Sequence, residues 1–240
     1  MPKIKVNRFI QDPSCCAIAS CSCVSNYWDK EVDYIKVKDV AVKKFFKNRE
    51  IDGLDSGDIC ILLNELGFNK VTLISSSMSV FDYTWEKFNR NKIINKLDEA
   101  LLIKKCKDEK RQVRCILKWI KDKRYDNDII IDYNFGKYIR DFLRRKKPLV
   151  ISFNWTMFFK YNKFNEKGYE DNFNGETEYH AAVVYGYDTK GVHICDSHNS
   201  LYTYKRKKYR SGFYKMSWEN LMTVMGEGDV FLPDQYVKRT

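Results

Sequence analysis

Three histidines occur in this chain, His180, His193 and His198, and their surroundings differ. His193 falls inside a predicted strand between Val192 and Ile194, and His198 lies in the loop after Asp196. His180 opens the apolar run HAAVVYGYD directly after the polar stretch 160–178. A histidine at such a junction stands half in a core and half at a rim, where an imidazole can take up and return protons. Taken alone, it is explained equally well as a side chain that only satisfies the start of a strand.

Asp196 lies 16 residues further on, at the end of the next predicted strand, KGVHICD. A hairpin with an odd loop centred on Thr189 sets residue 180 across from about 198, which puts Asp196 on the face of His180. An even loop without a bulge turns Asp196 to the opposite face. On the shared face, its carboxylate would hold the tautomer of His180 and steady the imidazolium. The plain alternative is a turn-capping aspartate in DSHNS.

Cys16 is the candidate nucleophile. A thiol at a helix N-terminus feels the helix dipole and unsatisfied N–H groups, and a neighbouring imidazolium favours its thiolate further. Such a pair attacks carbonyl carbon at neutral pH. Gln11, upstream, could give its side-chain amide to an oxyanion beside the Cys16 N–H. Cys15 is a rival nucleophile, and either thiol could be one more small buried residue. The four cysteines at 15, 16, 21 and 23 lack C-x-x-C spacing and a nearby histidine, so a zinc site there is a weak reading.

The elements that must position these residues divide the chain. DPSCCAIASCSCVSNYW, 12–28, reads as a helix capped by Asp12 or Ser14, with Pro13 in its first turn and small residues suited to close packing. Amphipathic segments follow over 32–47 and 56–66, the second capped by Ser56 and stopped by Gly67, and then a short strand, 70–74. Helices are expected near 90–105, 110–123 and 134–147. LVISFNW, 149–155, reads as a buried strand. The hairpin 180–196 is the clearest β signal; LYTYKRKKYR is a further candidate strand, Ser217 caps a helix over 218–225, and GDVFLP closes the sheet. Helices come early and strands late, which is an α+β pattern.

The 240 residues carry 15 % aromatics and only 11 Gly and 4 Pro, which excludes a disordered or collagen-like chain. No run of about 20 apolar residues spans a membrane, and MPKIKVNRFIQDPS lacks the apolar core of a signal peptide. The expected location is therefore cytoplasmic, with export by a non-classical route left open. Residues 82–147 hold 20 Lys/Arg against 11 Asp/Glu, a net +9 of the chain's +11. The basicity belongs to one segment and reads first as a solvated helical surface. Its aromatics do not interleave regularly with Lys, so nucleic-acid binding is a weak expectation. Residues 76–133 read as a basic helical insertion within a single domain, 1–240. Eight cysteines without a signal sequence are expected to stay reduced.

The order Gln11, Cys16, His180, Asp196 resembles papain-like cysteine peptidases, and most closely the peptidases that process double-glycine leader peptides of bacteriocins, with their stand-alone relatives. In that group a Gln precedes a Cys that opens a helix, often followed by small residues as in CAIAS. HAAVVYGYD resembles the group's His strand, VHICD its Asp-bearing strand, and FLRRKKPLVISFNW the helix and strand before the His. The likeness covers about 11–75 and 134–230. It departs at Ala17, where the family has Gly, at Ser197, where Pro is common, and at Gln11, which stands five residues before Cys16 rather than about six. Cys16 is preferred to Cys15 because Ala19 falls three residues later, as the motif's small residue does.

The resemblance implies an α+β papain-like fold, with a helical half around the Cys helix packed on a C-terminal antiparallel sheet. It implies a thiol hydrolase of peptide or amide bonds acting on a peptide or protein substrate, in leader peptide processing for the closest group. In it Cys16 attacks, His180 moves the proton, Asp196 orients His180 and Gln11 binds the oxyanion, with no metal or cofactor. The same residues would also serve acyl transfer or deamidation, as in transglutaminase-like or toxin-effector enzymes. A non-catalytic binding protein using the basic insertion is a further alternative. Glu166, Glu170, Asp171, Glu176 and Glu178 in the loop before His180 hint at basic or polar substrate segments. Oligomeric state is open.

Overall fold

A computed structural model describes residues 3–47, 50–165, 167, 169–199 and 211–238. The candidate strand LYTYKRKKYR, 201–210, and Glu166 lie outside the described residues. Seven strands form one sheet: β1 (Phe68–Ser75), β2 (Asp128–Ile131), β3 (Leu149–Asn154), β4 (Tyr179–Asp188), β5 (Gly191–Cys195), β6 (Phe213–Ser217) and β7 (Asp229–Tyr236). Their order is β2-β1-β7-β3-β4-β5-β6, antiparallel except for the β1–β2 pair. The β2 strand is an element the sequence reading lacked. It joins the sheet edge at the end of the segment 76–133.

Around the sheet lie α1 (Cys16–Trp28), α2 (Tyr34–Ala41) continued by a π-helical turn at Val42–Phe46, α3 (Ser56–Glu65), α4 (Arg90–Ile103), α5 (Lys107–Ile120), α6 (Phe135–Arg144), α7 (Trp155–Phe159) and α8 (Trp218–Val224). This is an α+β fold, consistent with that of papain-like peptidases. The α1 helix is buried from Ala17 through Asn26. Its small side chains let it lie close on β4, and the Ser20 hydroxyl donates to the Ala181 carbonyl at 3.0 Å.

Helix α1 begins four residues later than the sequence suggests. Asp12 does not cap it. Its carboxylate accepts instead from Lys38 at 2.6 Å and from the Tyr34 hydroxyl at 3.0 Å. Cys15 takes the N-cap position with no side-chain cap, and Ser14 turns the chain through φ +58°. Cys16 is thus the first helical residue, where backbone N–H groups have no intrahelical acceptor.

The basic segment packs on the body through α5 against α3. Gly57 makes that approach possible, because a Cβ there would lie 2.3 Å from the Cys115 carbonyl carbon. Val113, Ile116, Leu117 and Ile120 form its buried stripe. Many of its cations are answered locally, among them Lys121 by Asp98, Lys104 by Glu109 and Arg111 by Asp55. No helix among the described residues is long and apolar enough to cross a membrane.

Candidate active site

The β4–β5 hairpin sets the site. Asp188 pairs with Gly191 across a two-residue turn, Thr189–Lys190, so the loop is even rather than odd. A bulge between Val184 and Gly186 then inserts one extra residue, Tyr185, and moves the pairing to Val184↔Ile194 and Val183↔Cys195. A bulge of one residue reverses which face each later side chain takes. It brings Asp196 back to the face of His180.

There the His180 Nε2 and the Asp196 Oδ1 lie 2.8 Å apart. Asp196 Oδ1 also accepts from the His198 backbone N–H at 2.9 Å, and Oδ2 accepts from the Tyr214 hydroxyl at 2.9 Å. Asp196 is fully buried and His180 is 5 % exposed. With Nε2 committed to Asp196, Nδ1 is the ring nitrogen left for the other neighbour, the Cys16 thiol, which is hydrogen-bonded to His180. Cys16 is partly exposed and Cys15 is buried, facing Tyr34.

The electrostatics follow from these contacts. Burial works against a charged His180, but the Asp196 carboxylate, by charge and hydrogen bond, and the Cys16 sulfur together raise its pKa to about 10. Burial likewise works against a Cys16 thiolate. The His180 hydrogen bond and charge, with the Ala181 N–H, outweigh it and hold the thiol below the ordinary value. Asp196 stays below the usual carboxylate range, because His180, the His198 N–H and Tyr214 outweigh its burial. Burial and the His180 charge push His198 down. For Cys15 burial dominates and lifts the thiol, although a Tyr34 hydrogen bond opposes it. Of the two adjacent thiols, Cys16 is the one pulled toward the thiolate.

Gln11 reaches the same place. Its backbone N–H donates to the Ser197 carbonyl at 3.1 Å, and its Oε1 accepts from the Ser197 hydroxyl at 2.7 Å. With Oε1 accepting there, Nε2 is left as a donor. Gln11 lines a hollow of about 360 Å³ with Cys16, His180, Trp155 and His198. A second hollow, about 200 Å³, adjoins Cys16 past Ala17, Ser152 and Ala181.

Several residues around the site were not singled out from sequence. Arg8 donates to the backbone carbonyls of Asp196 at 2.5 Å and His198 at 2.9 Å, pinning the loop after β5. Gly212 at φ +71° makes room for it: a Cβ there would lie 2.0 Å from the Arg8 Nε. Trp155, expected to end a strand, starts α7 and packs against the rings of His180 at 5.7 Å and His198 at 5.0 Å. No local sequence pattern points Tyr214 at Asp196, 18 residues away. Ser197 carried a signal, as a hydroxyl where the resemblance has Pro.

The remaining candidates separate. His193 sits near Asp188 at 3.4 Å, on the other end of the hairpin. The four early cysteines disperse: Cys15 faces Tyr34, Cys16 faces His180, Cys21 is buried, and the free thiol of Cys23 is hydrogen-bonded to that of Cys195. The group of metal-ligating atoms found among the described residues is Asp55, Asp58 and Cys115, within 4.8 Å of one another.

Residues 114–225, a little under half of the chain, match the family model described as Peptidase_C39 like family. The matched stretch contains His180 and Asp196 and stops short of Gln11 and Cys16. No curated protein and no solved structure matches the chain.

Proposed function

We propose that this chain hydrolyses peptide or amide bonds through a Cys16 thiolate, with His180 as proton carrier, Asp196 as its orienting partner and Gln11 in the oxyanion site. One observation carries the reading. Asp196 occupies Nε2 of His180 while Cys16 contacts the same ring, so a thiol, an imidazole and a carboxylate are linked in series beside an open hollow. Within the peptidase class, the residues quoted for the resemblance extend the reading to stand-alone relatives of the double-glycine leader peptidases. We also read 1–240 as one papain-like domain, with the helices of 76–133 as its insertion. The continuous sheet and core support this.

The Cys16 sulfur attacks the carbonyl carbon, and the carbonyl π pair moves onto oxygen. The oxyanion is held by Gln11 Nε2–H and the Cys16 N–H. The tetrahedral species collapses, the C–N bond breaks, and His180 gives its proton to the leaving amine. A water then adds to the thioester while His180 takes its proton. Collapse of the second tetrahedral species releases the acid and regenerates the thiolate–imidazolium pair.

Incubation with a peptide library derived from a whole proteome, read by mass spectrometry, tests this. The expected products are new termini that vanish with Cys16→Ser and persist with Cys15→Ser. A gain of 1 Da without new termini would mean deamidation, and an amine adduct would mean acyl transfer. Gln11→Ala is expected to lower kcat about 10²–10³-fold while leaving iodoacetamide labelling of Cys16 unchanged, because it acts on the oxyanion and not on the thiol. A loss of labelling in that variant would count against the assigned role.

A further inference from the structure

A cleft of about 690 Å³ adjoins the Cys16 hollow and shares Leu54, Ser152 and Tyr179 with it. Asp229 lines this cleft at the start of β7, opposite Ser75 of β1 and Ser152 of β3. It is 6 % exposed. Its Oδ2 accepts from the Ser56 hydroxyl, the Ser75 hydroxyl also acts on the carboxylate, and its buried Oδ1 makes no hydrogen bond of full geometry among the described residues. Glu227, Glu176 and Asp52 line the same cleft. The cation among its described lining residues is Arg111, already held by Asp55 at 2.6 and 3.2 Å.

We propose that this cleft is the subsite for a basic side chain, lysine or arginine, next to the bond that Cys16 attacks. The proposal rests on the reading of Cys16 as nucleophile. A buried carboxylate with an unpartnered oxygen is costly unless a donor reaches it, and a cation supplies both the donor and the opposite charge. The apolar walls, Ile59, Val80 and Phe81, suit the aliphatic stem of such a side chain. Burial raises the Asp229 pKa to about 6, eased by the Ser56 and Ser75 hydroxyls and reinforced by Glu227, so the acid is an anion at pH 7.5. The surrounding carboxylates repel an acidic substrate residue at that pH.

The test uses the whole protein at pH 7.5 and acetylated tripeptide vinyl sulfones that alkylate the thiol. Each set differs at one position, carrying lysine, its uncharged near-isostere norleucine, or glutamate. Intact mass gives the rate of adduct formation, and iodoacetamide gives the intrinsic reactivity of Cys16. At one position lysine is expected to react about tenfold or more faster than norleucine, with glutamate slowest. Asp229→Asn should reduce that ratio severalfold without changing the iodoacetamide rate. Glu227→Gln, on the exposed rim, should reduce it less and serves if Asp229→Asn does not fold. Equal rates for lysine and norleucine at every position, with Cys16 labelled rapidly by iodoacetamide, would overturn the subsite and leave the hydrolase reading standing. Slow iodoacetamide labelling of Cys16 would overturn the hydrolase reading, and the subsite with it.

Discussion

In the His180→Ala variant, alkylation of Cys16 by iodoacetamide at pH 6 is expected to slow about tenfold. An ordinary thiol with a pKa near 8.5 is only about 0.3 % thiolate at pH 6. A thiol held largely ionised by an imidazolium gains up to about 300-fold in reactive species. Part of that gain is returned, because nucleophilicity falls with pKa along a Brønsted slope of about 0.4–0.5, leaving a net factor of about ten. Removing the ring takes away both the hydrogen bond and the positive charge that lower Cys16. It also leaves Asp196, whose charge acts on Cys16 in the opposite direction. The pH profile carries the sign: in wild type the rate stays high as pH falls and drops only through the lowered thiol pKa, whereas in the variant it climbs with pH toward the ordinary thiol range. His180→Asn, with circular dichroism on both variants, separates this effect from loss of fold. A wild-type profile that itself climbs through pH 8–9 would remove the thiolate–imidazolium pair.

How this site could be read from residues, and where the reading stopped, has a physical basis. The strand-forming runs at 149–155, 180–188 and 190–196 are nearly continuous in Val, Ile, Ala and aromatic residues, and such runs are strands wherever they pair. Helices α3, α5 and α6 carry strong apolar stripes and lie within a few residues of their expected spans. The π turn at Val42–Phe46 and the short α7 leave no pattern in the sequence, since five residues hold too little periodicity. Strand β2 hid for a related reason. DNDIIID is short, and its pairing partner β1 lies more than 50 residues away.

The site depended on one feature that pattern alone does not supply. A hairpin of HAAVVYGYD and KGVHICD has two registers with opposite outcomes for Asp196, and strand composition does not choose between them. The even turn at Thr189–Lys190, taken alone, sends Asp196 away from His180. The extra residue at Tyr185 reverses that, and a bulge is a property of the packed sheet rather than of the local sequence. The start of α1 was misplaced for a similar reason: Asp12 makes a good cap in isolation, but Lys38 and Tyr34, which claim its carboxylate, arrive from α2. Long-range partners also account for Arg8 and Tyr214, whose contacts with the Asp196 loop span 188 and 18 residues.

On the proposed reading Asp196 serves both the fold and the chemistry of this pair, and two substitutions divide the roles. Asp196→Ala leaves three donors without their acceptor: the His180 ring, the His198 N–H and the Tyr214 hydroxyl. Breaking a buried pair in this way costs about 3–5 kcal/mol, which for a chain of this size lowers Tm by roughly ten degrees. The loss depends on pH with a defined sign. The His180 pKa rises from about 6.5 to about 10 on folding, so its contribution is full below about 6.5 and fades as pH rises through 10. Asp196 is held below its ordinary range, so the contribution is full above about 3.8 and is lost as pH falls through the lowered value. The Tm difference between wild type and Asp196→Ala should therefore be largest between about pH 4 and 6.5, shrink as pH rises through neutral, and be smallest above 10. Asp196→Asn isolates the charge. Its Oδ1 can still accept from His180 and the His198 N–H, while the Tyr214 hydroxyl, which donates to Oδ2 in the wild type, can rotate to accept from Nδ2. Most of the stability should survive, but without the carboxylate charge His180 becomes more acidic and Cys16 rises, moving the labelling profile to higher pH. An Asp196→Asn profile that coincides with the wild type would mean that the His180 charge is held by groups other than Asp196.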